Sequence, residues 1–157
     1  MAVRAFIALG SNLGDRAGHL RAAAHALNGL ERTRVTAQSA IHETLAVVPE
    51  ENPAPQPNYF NSVIELETGL SAVQLHARCK EIEVALGRTD AARWAARVID
   101  LDVLFVGSEV VESEALNVPH PRLAQRRFVL EPLAQLAPEF EHPVLHKTVR
   151  QLLNALG

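Results

Sequence analysis

Two aspartates separated by one residue are the side chains in this sequence best suited to chemistry. Asp100 and Asp102 lie in residues 98–106, an otherwise apolar segment with the composition of a strand. Side chains alternate along a strand, so both carboxylates face the same side, about 7 Å apart. That spacing suits a pair of magnesium ions, which lie about 3.5–4 Å apart in phosphoryl-transfer sites. The structural alternative is one aspartate solvated at a sheet rim and the other capping a loop.

Arginines precede this segment. Arg88, Arg93 and Arg97 stand just before the strand, with Trp94 among them. Carboxylates alone repel a polyphosphate, so metal ions together with guanidinium groups are what a triphosphate requires. An arginine-rich loop is otherwise a solvated surface, but its position beside paired aspartates favours a phosphate site. The sequence contains no G-x-x-x-x-G-K-[ST] motif, which excludes a P-loop enzyme.

Two further sets of side chains suit ligand binding. His120 stands between two prolines, which hold it in place, and it can donate to a phosphate, although a single loop histidine is often structural. Tyr59 and Asn61 share one side of an alternating segment, opposite Phe60. A ring beside a carboxamide suits a flat heterocycle, because the ring stacks and the amide pairs with the edge. Phe128 is interpreted from its type alone as a core residue.

The elements that must position these residues follow from periodicity and from glycine and proline signals. Strands are predicted at residues 3–9, 35–43, 59–68 and 98–106, and a hairpin is predicted where Gly107 and Ser108 turn the chain into residues 109–111. Helices are predicted at residues 15–30, 71–86, 121–126, 130–136 and 148–156, with Ser71 as an N-cap and Gly87 as a stop. Residues 47–58 contain four prolines and are predicted to form an extended loop.

This order of elements predicts an α+β protein of ferredoxin-like type. Two β-α-β halves give a mainly antiparallel sheet with helices packed against it, and a face left free carries the site. The length of 157 residues, 48% of them apolar, predicts a single domain over residues 1–157.

Composition narrows the classes of function. The formal net charge of -3 argues against nucleic acid as a partner, and the sequence lacks the aromatic strand motif of RNA-binding ferredoxin-like domains. The single cysteine, Cys79, forms no intrachain disulfide, which suits the reducing cytoplasm. The apolar run at residues 5–9 is too short for a signal peptide or a membrane span. We therefore expect a cytoplasmic protein without a membrane partner, and a monomer.

Taken together, the segments resemble the 6-hydroxymethyl-7,8-dihydropterin pyrophosphokinase family. The resemblance is specific because the R-W, D-L-D and V-P-H-P-R blocks occur in this order and spacing. It covers residues 8–16, 56–61, 87–88, 93–94, 97–102, 118–123, 126, 128–130 and 132–133. The resemblance implies transfer of pyrophosphate from ATP to the pterin alcohol: the hydroxymethyl oxygen attacks the β-phosphorus, and AMP leaves.

The resemblance also implies a role for each matching position. Asp100 and Asp102 would bind two Mg²⁺ ions. The residues implied to hold and neutralise the triphosphate are Arg88, Arg97, His120 and Arg126. Those implied to contact ATP, the first two in a loop that closes over it, are Arg93, Trp94, Val103, Asn117 and His120. Those implied to bind the pterin, the first two by sandwiching its ring and the third by its amide, are Tyr59, Phe128, Asn61, Thr44 and Leu45.

Two segments depart from the family pattern. Residues 45–48 read Leu-Ala-Val-Val where the family usually has a proline and glycine segment whose backbone holds the pterin. Ala95 and Ala96 replace the Gly-Pro that often precedes Arg97, and Asp90 stands among the arginines. Neither departure removes a side chain with an implied role. A non-catalytic pterin-binding or nucleotide-binding module derived from the family is the alternative function.

Overall fold

The computed structural model describes residues 2–45, 58–87 and 98–157. Its larger sheet has five antiparallel strands in the order β2-β4-β1-β5, and the short β3 also pairs with β4. The strands of this sheet are β1 (Val3–Ser11), β2 (Thr33–Gln38), β3 (His42–Thr44), β4 (Tyr59–Thr68) and β5 (Asp100–Val106). A two-stranded sheet consists of β6 (Val111–Glu112) and β7 (Asn117–Val118).

The helices connect and follow these strands. They are α1 (Arg16–Asn28), α2 (Ala72–Ala85), α3 (Arg127–Leu136) and α4 (Val149–Ala155), with a 3₁₀ turn at Leu123–Gln125. Helix α1 joins β1 to β2, and α2 joins β4 to β5, so the two β-α-β halves of the predicted ferredoxin-like fold are confirmed. Ser71 caps α2 in a capping box with Gln74, as the sequence predicted for the N-cap.

One face of the sheet, here called the closed face, is covered by α1 and α2. Alternate residues of β1, namely Ala5, Ile7 and Leu9, point into this layer and are fully or almost fully buried. Leu101 and Val103 of β5 join them. Burial of the larger of these side chains, those of isoleucine, leucine and valine, contributes about 1.5–3 kcal/mol each, so the closed face forms the main core.

The opposite face, here called the open face, is covered at one end only. Phe6 and Phe105 pack there under α3 and α4. Along β1 the open-face side chains then shrink from Phe6 to Ala8 to Gly10. This decrease in size leaves a depression where the helices end, and the candidate site occupies it.

The structure corrects five expectations. Residues 35–43 form two strands instead of one, because the chain bends at Ser39, whose hydroxyl accepts from the Val63 amide. The segment after Gly107 pairs with β7 and not with the preceding strand. Residues 121–126 form only a 3₁₀ turn, and α3 starts before the predicted position. Helices pack on both faces of the sheet, so the open face is only partly free.

A search of the described residues finds no helix that combines the length and hydropathy needed to cross a bilayer. The predicted loop at residues 47–58 lies outside the described residues except for Asn58.

Candidate active site

The depression on the open face is a cleft that encloses about 380 Å³, a volume typical of small-molecule sites. Strands β1, β3, β4 and β5 form its floor, and the segment from His120 to Val129 forms a wall. Its lining residues are Ala8, Leu9, Gly10, Thr44, Leu45, Tyr59, Asn61, Ser62, Val63, Asp100, Asp102, Leu104, His120, Arg126, Phe128 and Val129.

Strand register places the two chemical halves of this cleft in one row. Asn61 of β4 is the Cα partner of Gly10 in β1, and Gly10 is the partner of Asp100 in β5. With strands about 4.8 Å apart, the row separates Asn61 from Asp100 by about 10 Å. Two residues away along β1 and β5 lies a second row, in which Asp102 of β5 is the Cα partner of Ala8 in β1. Gly10, which has no side chain, therefore lies between Asn61 and the two carboxylates.

The amide end of the row is built around Gly10. A Cβ atom at Gly10 would lie 3.4 Å from both Asn61 Oδ1 and Tyr59 Cδ1, so the glycine lets the amide and the ring lie close to β1. Asn61 Nδ2 donates to Thr44 Oγ1 at 2.7 Å and to the His42 carbonyl at 3.3 Å. As the alternation predicted, Phe60 packs on the closed face instead.

Two apolar side chains complete the amide end. Phe128, which follows the first residue of α3, is 41% exposed, and Leu45, next to β3, is 80% exposed. Both line the cleft. Phe128 is therefore not the core residue that its type alone suggested, because its neighbours Val129 and Leu130 fill the core and leave it facing the opening.

The carboxylate end is held by a buried acidic residue of α2. Glu83 is 2% exposed and accepts from the Leu101 amide at 2.7 Å, between the two aspartates. Lys80 Nζ lies 3.3 Å from the Glu83 carboxylate. Strand β5 is at the edge of the described sheet, so Glu83 takes the place that a neighbouring strand would occupy. Asp100 is half-buried and Asp102 exposed, both on the open face.

His120 and Arg126 face the carboxylates from the wall. The His120 amide donates to the Leu104 carbonyl at 3.1 Å, which ties the wall to β5. His120 Nδ1 accepts from the Arg122 amide at 3.2 Å, so the neutral ring carries its proton on Nε2 and is a donor there. Burial lowers the pKa of His120, and Arg126 acts in the same direction while Asp102 opposes it. Burial also lowers the pKa of Arg126, which remains a cation because a guanidinium does not deprotonate in proteins.

A second, smaller cleft of about 170 Å³ adjoins the first and shares Asp102 and His120 with it. Its other lining residues are His76, Leu101, Val103, Glu114, Ala115, Leu116, Asn117 and Pro121. Asn117 borders this cleft from β7, and Val103 borders it from β5. The side chain of Val103 is otherwise part of the closed-face core. Sequence reasoning missed His76 and Glu114, because neither carries a local motif.

The carboxylate pair fits magnesium bound together with phosphates. Within residues 2–45, 58–87 and 98–157, no three or more histidine, cysteine, aspartate or glutamate side chains converge on a metal position. Mg²⁺ is commonly held by one or two carboxylates plus substrate phosphates, so Asp100 and Asp102 would be a sufficient protein contribution if a nucleotide supplied the other oxygens. Four residues from the sequence prediction, Arg88, Arg93, Trp94 and Arg97, lie outside the described residues.

The arrangement can bind a flat heterocycle at one end and a polyphosphate with cations at the other, about 10 Å apart. An amide with an aromatic ring, followed by carboxylates, a histidine donor and an arginine, is the set of groups that phosphoryl-type transferases use for alignment and charge neutralisation. The fold and the cleft thus indicate a transferase of phosphate-containing groups.

Comparison with known sequences identifies the family. A sequence profile of 7,8-dihydro-6-hydroxymethylpterin-pyrophosphokinase (HPPK) matches residues 6–138. A 2-amino-4-hydroxy-6-hydroxymethyldihydropteridine pyrophosphokinase of Bacillus subtilis is 42% identical over 87% of this chain and 80% of its own length. The enzyme of the same name from Haemophilus influenzae is 36% identical over 90% of this chain and 86% of its own. The chain belongs to the HPPK family.

In some longer relatives, only part of the protein is similar to this chain. The folic acid synthesis protein fol1 of Schizosaccharomyces pombe is 35% identical over 97% of this chain, which spans 20% of that protein. A solved HPPK-DHPS of Plasmodium falciparum with pterin and p-hydroxybenzoate superposes with a TM-score of 0.73 at 16% identity, covering 98% of this chain and 43% of that one. At this identity the structural likeness supports the fold alone.

Proposed function

We propose that this chain transfers pyrophosphate from ATP to 6-hydroxymethyl-7,8-dihydropterin in folate biosynthesis, giving AMP and the pterin diphosphate. Family membership supports the activity, and ATP is the co-substrate of the family. The observation that carries the proposal is the row Asn61–Gly10–Asp100 across three paired strands. It joins a pocket for a flat heterocycle to a carboxylate pair in one cleft.

The amide end is assigned to the pterin. Tyr59 and Phe128 would contact the faces of the ring, and Asn61 would bond its polar edge. Thr44 and Leu45 border the same end of the cleft. A ring held there directs a hydroxymethyl substituent along the row toward Asp100 and Asp102, which is the direction that transfer requires.

The carboxylate end is assigned to the triphosphate. Asp100 and Asp102 would hold two Mg²⁺ ions, which when bound neutralise charge on the phosphate chain. His120 would donate from Nε2 to a phosphate oxygen, and Arg126 would offset charge beside it. Arg88 and Arg97 would hold the outer phosphates.

The nucleotide is assigned further contacts outside the main cleft. Arg93 and Trp94 would belong to a segment that closes over ATP. The second cleft, bordered by Val103 and Asn117, would take part of the nucleotide, because it shares Asp102 and His120 with the phosphate end.

The reaction forms one bond and breaks one. The pterin hydroxymethyl oxygen forms a bond to the β-phosphorus and releases its proton, while the bond from the β-phosphorus to the oxygen bridging it to the α-phosphorus breaks. That bridging oxygen leaves with AMP, and the β- and γ-phosphates move as one unit. Such transfer requires alignment at about 3–3.5 Å and charge neutralisation, which this set of side chains would provide.

The nucleotide product tests the proposal. A reaction containing ATP, Mg²⁺ and 6-hydroxymethyl-7,8-dihydropterin is separated by chromatography, with pterin-free and Mg²⁺-free mixtures as controls. We expect AMP and pterin diphosphate in equal amounts and no ADP. Formation of ADP with a pterin monophosphate would contradict attack at the β-phosphorus. Tight binding of both substrates without turnover would instead support a non-catalytic binding module.

A further inference from the structure

Arg16, the first residue of α1, makes two contacts with the start of β4. Its Nη1 donates to the Asn58 carbonyl oxygen at 2.7 Å, and its Cζ lies 4.0 Å from the centroid of the Phe60 ring. The first contact is a charge-assisted hydrogen bond, and the second has the geometry of a cation–π interaction. One side chain of the helix thus holds the two residues that flank Tyr59 in the sequence.

These contacts lie behind the floor of the main cleft. Phe60 packs on the closed face, whereas Tyr59 and Asn61 line the cleft on the open face. In β1 the Cα partner of Phe60 is Ser11, at the end of that strand. The guanidinium of Arg16 therefore covers the back of the stretch of β4 whose front carries the aromatic ring and the amide of the cleft.

A further hydrogen bond connects Asn58 to β3. Its Nδ2 donates to the Glu43 carboxylate at 2.9 Å, and Glu43 belongs to the strand that pairs with this end of β4. The carbonyl of Asn58 is thus bonded to α1 and its side chain to β3. Because β4 begins at the next residue, Tyr59, the entry of the chain into this strand is fixed by groups that lie outside the cleft.

We propose that Arg16 is a positioning residue for the aromatic side of the pterin site. By holding Asn58 and Phe60, it fixes the backbone of Tyr59 and so keeps the ring ready to stack on a heterocycle. A side chain that is already ordered before binding loses less entropy when the ligand arrives. Arg16 packs on the closed face with Phe60, so it acts through Tyr59 and not by touching the ligand. This inference rests on the proposed function and concerns the support of its pterin site.

The test is a double-mutant cycle between Arg16 and Tyr59. Dissociation constants for 6-hydroxymethylpterin are measured by calorimetry, in the presence of a non-hydrolysable ATP analogue and Mg²⁺, for the unaltered chain, Arg16→Met, Tyr59→Ala and the double variant. Methionine keeps a long apolar side chain and removes the guanidinium. The control is Arg34→Met, which removes an exposed arginine from the edge strand β2 of the same sheet. Thermal unfolding and ATP-analogue binding are recorded for each protein.

We expect Arg16→Met to weaken pterin binding about 3- to 10-fold, the cost of ordering one side chain that was held before. In the Tyr59→Ala background the same substitution should change the dissociation constant less than about 2-fold, because the ring through which Arg16 acts is gone. ATP-analogue binding in Arg16→Met and pterin binding in Arg34→Met should each change less than about 2-fold. A merely structural role would lower the unfolding temperature without producing this coupling.

Equal losses in the two backgrounds would overturn the inference, as would unchanged pterin binding in Arg16→Met or an equal loss in Arg34→Met. If Arg16→Met does not fold, the cycle is measured with Arg16→Lys, which keeps the charge but lacks the planar group that covers the ring while it reaches the carbonyl. Coupling to Tyr59 is expected there too, and its absence would overturn the inference in the same way. If the unaltered chain bound no pterin, the proposed function itself would fail and this inference with it.

Discussion

The two faces of the five-stranded sheet are built from the same strands and yet serve different purposes. On the closed face, Leu9 and Leu101 continue an apolar layer to the end of the strands, and two helices cover it. On the open face, the neighbouring residues are Gly10, Asp100 and Asp102, and the helices stop before them. Alternation along a strand would therefore separate stability from the proposed chemistry, with adjacent residues of β5 in opposite roles.

The largest effect on activity is expected from substitutions on the open face of β5. Asp100→Ala and Asp102→Ala should each lower kcat at least about 10³-fold, because on the proposed function each removes a carboxylate that would hold a Mg²⁺ ion and so, indirectly, neutralise phosphate charge. For Asp102→Ala the free energy of unfolding should change by less than about 1 kcal/mol, since the side chain is exposed. AMP formation and urea unfolding measure the two quantities.

Two outcomes would contradict this assignment. Variants that retain most of their activity would exclude the aspartates as metal ligands. Variants that fail to fold would show that the open face of β5 contributes to stability as the closed face does. The proposed difference between the two faces would then be wrong.

The matched substitution on the closed face is Leu101→Ala, one residue away. Leu101 is 1% exposed, so its truncation should lower the free energy of unfolding by about 2–5 kcal/mol. At a temperature where the variant stays folded and with ATP at saturation, kcat should remain within a few-fold of the original, since any effect of Leu101 on the second cleft would appear in ATP binding. Urea unfolding and AMP formation again provide the measurements. A large loss of kcat without a loss of stability would contradict the separation of roles.

A third substitution tests the decrease in side-chain size along the open face. Gly10 lies in β1 without a positive φ, so valine fits its backbone. Its Cβ would already contact Asn61 and Tyr59 at 3.4 Å, and the added methyl groups would enter the cleft. Gly10→Val should weaken pterin binding roughly 10- to 100-fold, the equivalent of about 1–3 kcal/mol of overpacking.

The control for this substitution is Gly10→Ala, whose single added carbon makes ordinary contacts and should have a smaller effect. ATP-analogue binding, measured in parallel by calorimetry, should change little in both variants. Unaltered pterin binding by Gly10→Val would show that the pterin does not lie over Gly10.

The smallest expected effect is a pH dependence of the stability, which comes from His142 at the covered end of the open face. His142 is 7% exposed, its ring lies 5.5 Å from that of Phe105, and its Nδ1 accepts from the amides of Val144 and Leu145. Burial lowers the pKa of His142, with the nearby His146 acting in the same direction. The unfolded chain therefore binds this proton at a higher pH than the folded chain does. The stability from neutral His142 is complete above the ordinary histidine pKa of about 6.5 and is lost as the pH falls below it.

The slope of the free energy of unfolding against pH that is attributable to His142 should not exceed about 1.4 kcal/mol per pH unit. His142→Asn supplies an oxygen acceptor that does not titrate, so its stability should decline less than that of the original chain between pH 7 and 5. Urea unfolding across this range measures the difference. Parallel pH curves for the two proteins would rule out His142 as the cause.

Local pattern predicted much of the fold and part of the site. The alternation of residues 98–106 placed both aspartates on one side, and the alternation after residue 58 placed Tyr59 and Asn61 opposite Phe60, as the structure has them. The N-cap at Ser71 follows from the side chain itself. The break in residues 35–43 was not predictable in this way, because β2 and β3 pair with different stretches of the distant strand β4. The partner of β6 is the following strand β7, and strand pairing, which alternation does not encode, selects it.

The sequence by itself determined the types of chemical groups, the face of the strand on which each lies and, through its motifs, the family. Backbone stereochemistry repeats every two residues in a strand, so this information is local. Only the tertiary structure decided that Asn61, Gly10 and Asp100 form one row, that Glu83 holds the β5 edge, and that His76 borders a second cleft. These facts depend on strand register and helix packing, which join residues far apart in the chain and are fixed only when the whole core is formed.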